Sequence, residues 1–191
     1  MKVDPGAVEQ HRAAAGREAV RCVVITLSDS RTESTDESGR YLREALVRAG
    51  HRLVGYRLIP DEPLALRAAL DGFISAGAQA VLCTGGTGIG TRDQTIETLQ
   101  PLWERLIPGF GELFRMLSFA QVGAAAMLSR AAAGVYMGAV VFALPGSTSA
   151  VELAWRQLIE PELRHLVHLI GPGTVRGGPG PADRSAGPDR S

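Results

Sequence analysis

Apolar positions along this chain fall into two patterns that take turns. Short runs rich in apolar residues, Val20 to Leu27, His51 to Ile59 and Ala80 to Cys83, have the length and content of strands. Between them apolar residues recur at helical spacing. Tyr41, Leu42, Ala45, Leu46 and Ala49 make one face, closed by Gly50, and Leu66, Leu70, Phe73 and Ile74 make another, closed by Gly77. The polar loop from Ser28 to Asp36 leads into the first helix, where Ser34 and Glu37 have capping-box spacing. Asp61, after Pro60, stands where it can cap the second helix, and Asp93 where it can cap a short helix running to Leu99. Pro108-Gly109 interrupts the chain ahead of an amphipathic helix with Phe110, Leu113, Phe114 and Leu117 inward. Two further runs, Ala131 to Tyr136 and Ala139 to Leu144, flank Met137-Gly138 as a hairpin. A long C-terminal helix follows, carrying Val151, Trp155, Leu158 and Ile159 and continuing past Pro161 to Ile170.

Alternation of buried strands with helices predicts an α/β fold whose largely parallel sheet is covered on both faces. Ligands of such sheets lie beyond the carboxyl ends of the strands, where strand order reverses. Four loops qualify by position, Ser28–Arg31, Pro60–Asp61, Thr84–Asp93 and Pro145–Ser149, and each is polar or rich in Gly and Pro. The third says most. From Gly85 to Gly90 four of six residues are glycine, directly after a buried strand, so main-chain N–H groups there can approach an anion closely. Neither common phosphate fingerprint fits. Gly85 and Gly90 have the spacing of a Walker loop, but Thr91-Arg92 stands in place of its Lys-Ser/Thr pair, and a dinucleotide loop from Gly86 and Gly88 would need glycine at Thr91. Taken alone, the loop suits an anion or ligand site more than an ordinary tight turn.

Composition narrows the partners. The 191 residues suit one domain, expected over 19–170, with a flexible N-terminal arm over 1–18 and a disordered tail over 171–191, where ten residues are Gly or Pro. No apolar run approaches the ~20 residues needed to span a bilayer, and no apolar leader core follows the N-terminal charges, so a cytoplasmic protein without a membrane partner is expected. Lys and Arg number 20 and Asp and Glu 20, a balance that disfavours a nucleic-acid partner. Cys22 and Cys83 have no metal spacing and read as buried free thiols.

The acidic candidates are Asp61 and Asp93, each either a plain helix cap or one of two carboxylates that hold Mg²⁺ beside phosphates. Arg31, Arg92, Arg115 and Arg130 offer planar donors to phosphate, with Arg92 in the strongest loop context. Ser147 and Thr148, at a strand-to-helix turn, suit a second anion site or a cap. His165 and His168 lack a carboxylate at metal-site spacing, Trp103 and Trp155 read as packing residues, and no nucleophile elbow is present.

Ser28-Asp29, Ser38-Gly39, Thr84-Gly85-Gly86-Thr87-Gly88, Arg92-Asp93-Gln94-Thr95, Gly109-Phe110-Gly111-Glu112, Leu128-Ser129-Arg130-Ala131 and Leu144-Pro145-Gly146-Ser147, in that order, resemble the MoaB/MogA family of molybdenum cofactor biosynthesis proteins. The likeness runs from about Val20 to about Ile170, and the Phe114–Phe119 and Leu144–Thr148 segments are similar to the MoaB branch. One departure is visible: the family commonly reads Ser-Asp-Arg after strand one, whereas Ser28-Asp29-Ser30-Arg31 displaces the arginine by one residue.

The resemblance implies a three-layer α/β/α sandwich of the molybdopterin-binding-domain kind, with a mixed five-stranded sheet in order 2-1-3-5-4 and one antiparallel strand, assembled as a homotrimer or hexamer. In the adenylyltransferase branch it implies binding of molybdopterin and transfer of AMP from ATP, with Mg²⁺, onto the pterin's phosphate. The two aspartates of that reaction match Asp61 and Asp93, as catalytic residues and Mg²⁺ ligands. Contacts to pterin phosphate and nucleotide fall to Ser28, Asp29, Thr84, Gly85, Gly86, Thr87, Gly88, Arg92, Glu112, Ser118, Pro145, Gly146 and Ser147. Three functions stay open on the sequence: molybdopterin adenylyltransferase, a non-catalytic molybdopterin binder or carrier, and a structural oligomer that assists other cofactor enzymes.

Overall fold

The structure is a computed structural model that describes Gly16 and residues 18–171. The arm and tail expected at the two ends lie, apart from their inner edges, outside the described residues. Strand β1 (Arg21–Leu27) pairs in parallel with β2 (Arg52–Ile59) on one side and with β3 (Ala80–Thr84) on the other. Strand β6 (Ala139–Leu144) continues the sheet parallel to β3, β5 (Ala132–Tyr136) runs antiparallel to β6, and β4 (Arg105–Leu106) pairs with β5 at the edge. The order is β2-β1-β3-β6-β5-β4. It keeps the expected sequence of strands and adds a sixth. Arg105 and Leu106 are both exposed and belong to no apolar run, so nothing local marks them as a strand.

Both faces of the sheet are buried, and the two-residue period of the strands separates them. Cys22, Val24, Leu82, Phe142 and Leu144 face helices α1 (Glu37–Arg48) and α4 (Pro108–Val122) and the C-terminal helical run. That run is α5 (Thr148–Ala154), a π-helical turn (Trp155–Ile159) and α6 (Glu160–Ile170) in unbroken succession. Val23, Ile25, Val81, Cys83 and Val141 face α2 (Pro63–Ser75) and α3 (Thr95–Leu99) on the other side. Burial pushes the thiols of Cys22 and Cys83 up to about 12, which leaves both uncharged and unreactive. The hairpin turns on Met137 and Gly138 with φ of 49° and 76°, the two left-handed residues that match the twist of its strands.

Helix entries correct the sequence reading. Asp36, not Ser34, caps α1, accepting from the Gly39 N–H. Glu62 precedes α2, whose first turn begins with Pro63, and Gln94 precedes α3; neither helix has a side-chain cap. Asp61 and Asp93 therefore cap nothing.

At the opposite end of the sheet from the glycine loop, His51 is buried between α1 and β2. Its Nδ1 accepts from Val20 N at 3.3 Å and its ring meets Trp155 edge-on at 6.3 Å. Burial, with the Arg164 guanidinium second, lowers its pKa to about 4. The folded state thus holds His51 neutral, and this contribution to stability is complete above pH 6.5 and is lost as pH falls toward 4. His51→Asn keeps an acceptor for Val20 and cannot charge. Urea unfolding across that range is expected to show a shallower acid loss of stability in this variant than in the unaltered protein.

Candidate functional site

Three strand ends converge on Gly85. Its N–H donates to Leu144 O at 3.0 Å, and a Cβ placed on it would lie 2.2 Å from Leu27 O. Its φ of +106° is a conformation that only glycine adopts without strain. Two threonines flanking the loop secure the junction. Thr84 Oγ1 donates to Pro145 O at 2.8 Å, and Thr95 Oγ1 donates to Gly85 O at 2.9 Å. The hydroxyl of Thr84 is therefore occupied in tying the β3 and β6 loops together, and Thr84 is fully buried.

Around this junction lies a cleft of about 540 Å³. Gly85, Gly86, Thr87 and Gly88 line it together with Ser28, Ser30 and Arg31 of the β1 loop and Pro145, Gly146 and Ser147 of the β6 loop. Ser147 is the residue before the C-terminal helical run, and its hydroxyl makes no cap bond. Backbone dipoles at that end of the helix favour an anion. The remaining wall comes chiefly from α4 and the 3₁₀ turn Gly123–Leu128, through Phe114, Ser118, Gln121, Val122, Ala125 and Ala126, with Ala150 and Leu153 of α5 and with Asp93. One side of the cleft thus offers main-chain and hydroxyl groups and the other a mostly apolar surface in which Ser118 and Gln121 are polar, a combination suited to a guest with an anionic arm and an apolar body.

Arg31 is built into this frame rather than free. Its Nη1 donates to Ser38 Oγ at 2.7 Å and its Nη2 to Gly146 O at 2.9 Å, so the displaced arginine links the β1 and β6 loops. Beneath it, the Asp36 carboxylate accepts from Thr26 Oγ1 at 2.6 Å, Tyr56 OH at 2.8 Å, Gly39 N at 3.0 Å and Ser38 Oγ at 3.2 Å. Burial alone would raise its pKa, but these donors outweigh it and hold the carboxyl below the usual range.

The other acidic group differs. Asp29, Asp61 and Asp93 come from the loops after β1, β2 and β3 and gather beside the glycine loop. Asp29 Oδ1 accepts from Asp61 N at 3.1 Å, and Asp29 Oδ2 is paired with the Arg92 guanidinium. Asp93 Oδ2 accepts from Gly90 N at 2.8 Å and lies 2.7 Å from where a Cβ on Gly88 would stand. Asp61 Oδ1 lies 2.7 Å from a Cβ on Gly86, and it is buried with no hydrogen-bond partner. Burial first, then the charges of Asp29 and Asp93, raise the Asp61 pKa against a smaller opposing effect of Arg92. The two aspartates singled out from sequence are thus near enough for the charge of one to act on the other, with Asp93 lining the cleft and Asp61 outside its lining. Among the described residues no three His, Cys, Asp or Glu side chains are disposed to hold a metal ion by themselves. An ion at Asp61 and Asp93 would complete its shell with phosphate and water oxygens, as Mg²⁺ does.

Other candidates lie apart from the cleft. Asp29 and Arg92 pair outside its lining, and Glu112 lines a separate cavity of about 400 Å³ with Trp103, Arg115 and Arg130. Arg115 Nη1 reaches Ala131 O at 3.4 Å, and Arg130 pairs with Glu97. His165 bonds Glu162 at 2.9 Å. Gln121, Val122, Ala125 and Ala126 escaped the sequence reading because the helical stripe fades beyond Leu117. The available signal was the small-residue run Gly123 to Ala126, which lets main chain approach a guest.

A family model described as a probable molybdopterin binding domain matches residues 23–165. The molybdenum cofactor biosynthesis protein B of Bacillus subtilis (strain 168) is 48% identical over 165 residues, spanning 85% of this chain and 96% of that protein. A crystal structure of a molybdenum cofactor biosynthesis protein B aligns with a TM-score of 0.77 at 45% identity, over 81% of this chain and 98% of that one. The tungsten cofactor synthesizing protein MoaB from Pyrococcus furiosus aligns with a TM-score of 0.74 at 38% identity, over 80% of this chain and 98% of that one.

The Gly85 junction generates a direct expectation. Gly85→Ala drives a methyl group into Leu27 O, and either the β1 or the β3 end must shift. Thermal or urea unfolding is expected to show a loss of about 3 kcal/mol or more.

Proposed function

From the premise that this chain belongs to the MoaB-like branch of the molybdenum cofactor biosynthesis family, we propose that it binds molybdopterin in the cleft and adenylylates it with Mg-ATP in the cytoplasm. The observation that carries this reading is Asp61. A carboxylate with an unpartnered buried oxygen, crowded by Asp29 and Asp93 beside a glycine loop, calls for a cation and the phosphates that accompany it.

In this reading a phosphate oxygen of molybdopterin attacks the α-phosphorus of ATP. The new P–O bond forms as the bond from that phosphorus to the β-phosphate oxygen breaks, and pyrophosphate leaves. The nucleophile is already an anion, so no side chain has to remove a proton, consistent with a cleft lined by no histidine. What the protein must do is align two polyanions and offset their repulsion. The amides of Gly86 to Gly88 and the helix start at Ser147 offer donors to the substrate phosphate, the Gly85 N–H being bonded to Leu144 O. Asp61 and Asp93 would hold Mg²⁺, which when bound neutralises charge on the transferring group. The apolar wall of Phe114, Val122 and Ala126 keeps water from one side of the guest.

Purified protein given molybdopterin, Mg²⁺ and ATP is expected to release pyrophosphate. Asp93→Asn retains an oxygen for the Gly90 N–H and is expected to fold normally while losing about 100-fold or more in turnover. Pterin binding without pyrophosphate release in the unaltered protein would replace this reading with that of a carrier.

The same reading takes the protein as a homotrimer or hexamer. Its support is an apolar face along α4 and the turn after it, where Met116, Phe119 and Met127 are 61%, 63% and 76% exposed and Leu113, Val122 and Leu128 continue the surface. Light scattering is expected to give three or six copies for the unaltered chain and a monomer for Met116→Glu combined with Phe119→Glu.

A further inference from the structure

Arg130 makes bonds that neither the cleft nor the acidic group requires, and they converge on the loop that carries Asp93. Its main-chain N–H donates to Thr87 O at 3.3 Å, its Nη2 donates to Asp93 O at 2.8 Å, and its Nη1 pairs with the Glu97 carboxylate on α3. Between Thr87 and Asp93 the loop closes on itself, through Gly90 N to Asp93 Oδ2 at 2.8 Å and Asp93 N to Gly90 O at 3.0 Å. Those internal bonds give the loop a shape without tying it to the body of the protein. Arg92 adds one tie through Asp29, with 70% of its own side chain exposed. Arg130 supplies a less exposed one and grips the loop at both ends.

Its position in the chain matters as well. Arg130 follows Ser129, which lines both the cleft and the second cavity, and Ser129 follows the 3₁₀ turn that forms the apolar wall. One residue therefore joins the apolar wall to the glycine loop. Arg130 Nε is buried with no partner, an unsatisfied donor that remains while the other two guanidinium nitrogens reach Asp93 O and Glu97.

We infer that Arg130 is a positioning residue, which holds the Thr87–Asp93 segment at a set distance from the opposite wall and so fixes where the Asp93 carboxylate stands. It touches no substrate in this role. The consequence for turnover rests on the adenylyl-transfer reading, whereas the consequence for the loop does not. A rigid planar fork is required, because a lysine amine reaches either Asp93 O or Glu97 but not both in the same geometry.

The test compares the unaltered protein with Arg130→Lys and Arg130→Ala. Amide hydrogen exchange at Gly90 and Asp93 is expected to accelerate about tenfold or more in both variants, with the β3 amides of Val81 to Cys83 unchanged. In the pyrophosphate assay kcat is expected to fall about tenfold or more while KM for molybdopterin stays within about threefold, the signature of a misplaced reacting geometry. Millimolar guanidinium added to Arg130→Ala is expected to restore part of both. Loop exchange equal to that of the unaltered protein in both variants would overturn the inference, as would a rise in KM with kcat retained. If the unaltered protein releases no pyrophosphate, the adenylyl-transfer reading fails by itself, and the exchange result still decides the role of Arg130.

Discussion

The molecule depends on one close approach. At Gly85 the main chain leaving β3 passes so near Leu27 O of β1 that no side-chain atom fits between them, while its N–H is bonded to Leu144 O of β6. Three parallel strands are thereby brought level at their carboxyl ends. The β1, β3 and β6 loops that line the cleft each start within a few residues of that point, so a small error there would be passed to all three. Thr84 and Thr95 reinforce the junction with bonds to Pro145 O and Gly85 O. A sheet whose strands ended at different heights would have the same loops and no common rim.

Two acidic groups flank this rim, and their surroundings differ. Asp36 is buried but saturated with donors from Thr26, Gly39, Tyr56 and Ser38, and it stays charged more readily than an ordinary carboxyl. It holds α1, β2 and the β1 loop together and needs nothing further. Asp61 is crowded by two other carboxylates and has an oxygen without a partner, and its charge is disfavoured. Local charge of one sign in a partly buried place costs free energy unless a cation shares it.

The long helix α4 serves two surfaces. Phe110 and Phe114 pack into the core, with Phe110 against Phe142 at 5.2 Å, while Met116 and Phe119 stand exposed. Ser118, Gln121 and Val122 of the same helix face the cleft. One amphipathic element thus serves the core, the candidate site and the exposed apolar face, so a change on any of them is felt by the others.

Much of this was legible before any coordinates. Strand runs such as Val23 to Ile25 and helical stripes such as Leu42, Ala45 and Leu46 are local signals, and so is a loop with glycine at positions 85, 86, 88 and 90. From these the layered α/β fold, the strand ends that line the cleft, and Asp61 and Asp93 as candidates could be read. The edge strand at Arg105–Leu106 could not, since it exists through its partner Val135 and Gly134 and not through its own residues. The same holds for the apolar wall after Val122. Asp61 and Asp93 carried the local mark of helix caps, and only folding decided otherwise by placing Glu62 and Gln94 at those caps. Tertiary structure alone also decided that Asp29 would meet Asp61 across 32 residues and Arg92 across 63, that Arg31 would be tied into the frame, and that Arg130 would brace the glycine loop. The physical reason is one of range. Periodicity, capping and turn chemistry act between neighbours and write themselves into the sequence, whereas a charge's partners are set by which loops meet, and that is known only when the sheet has brought them together.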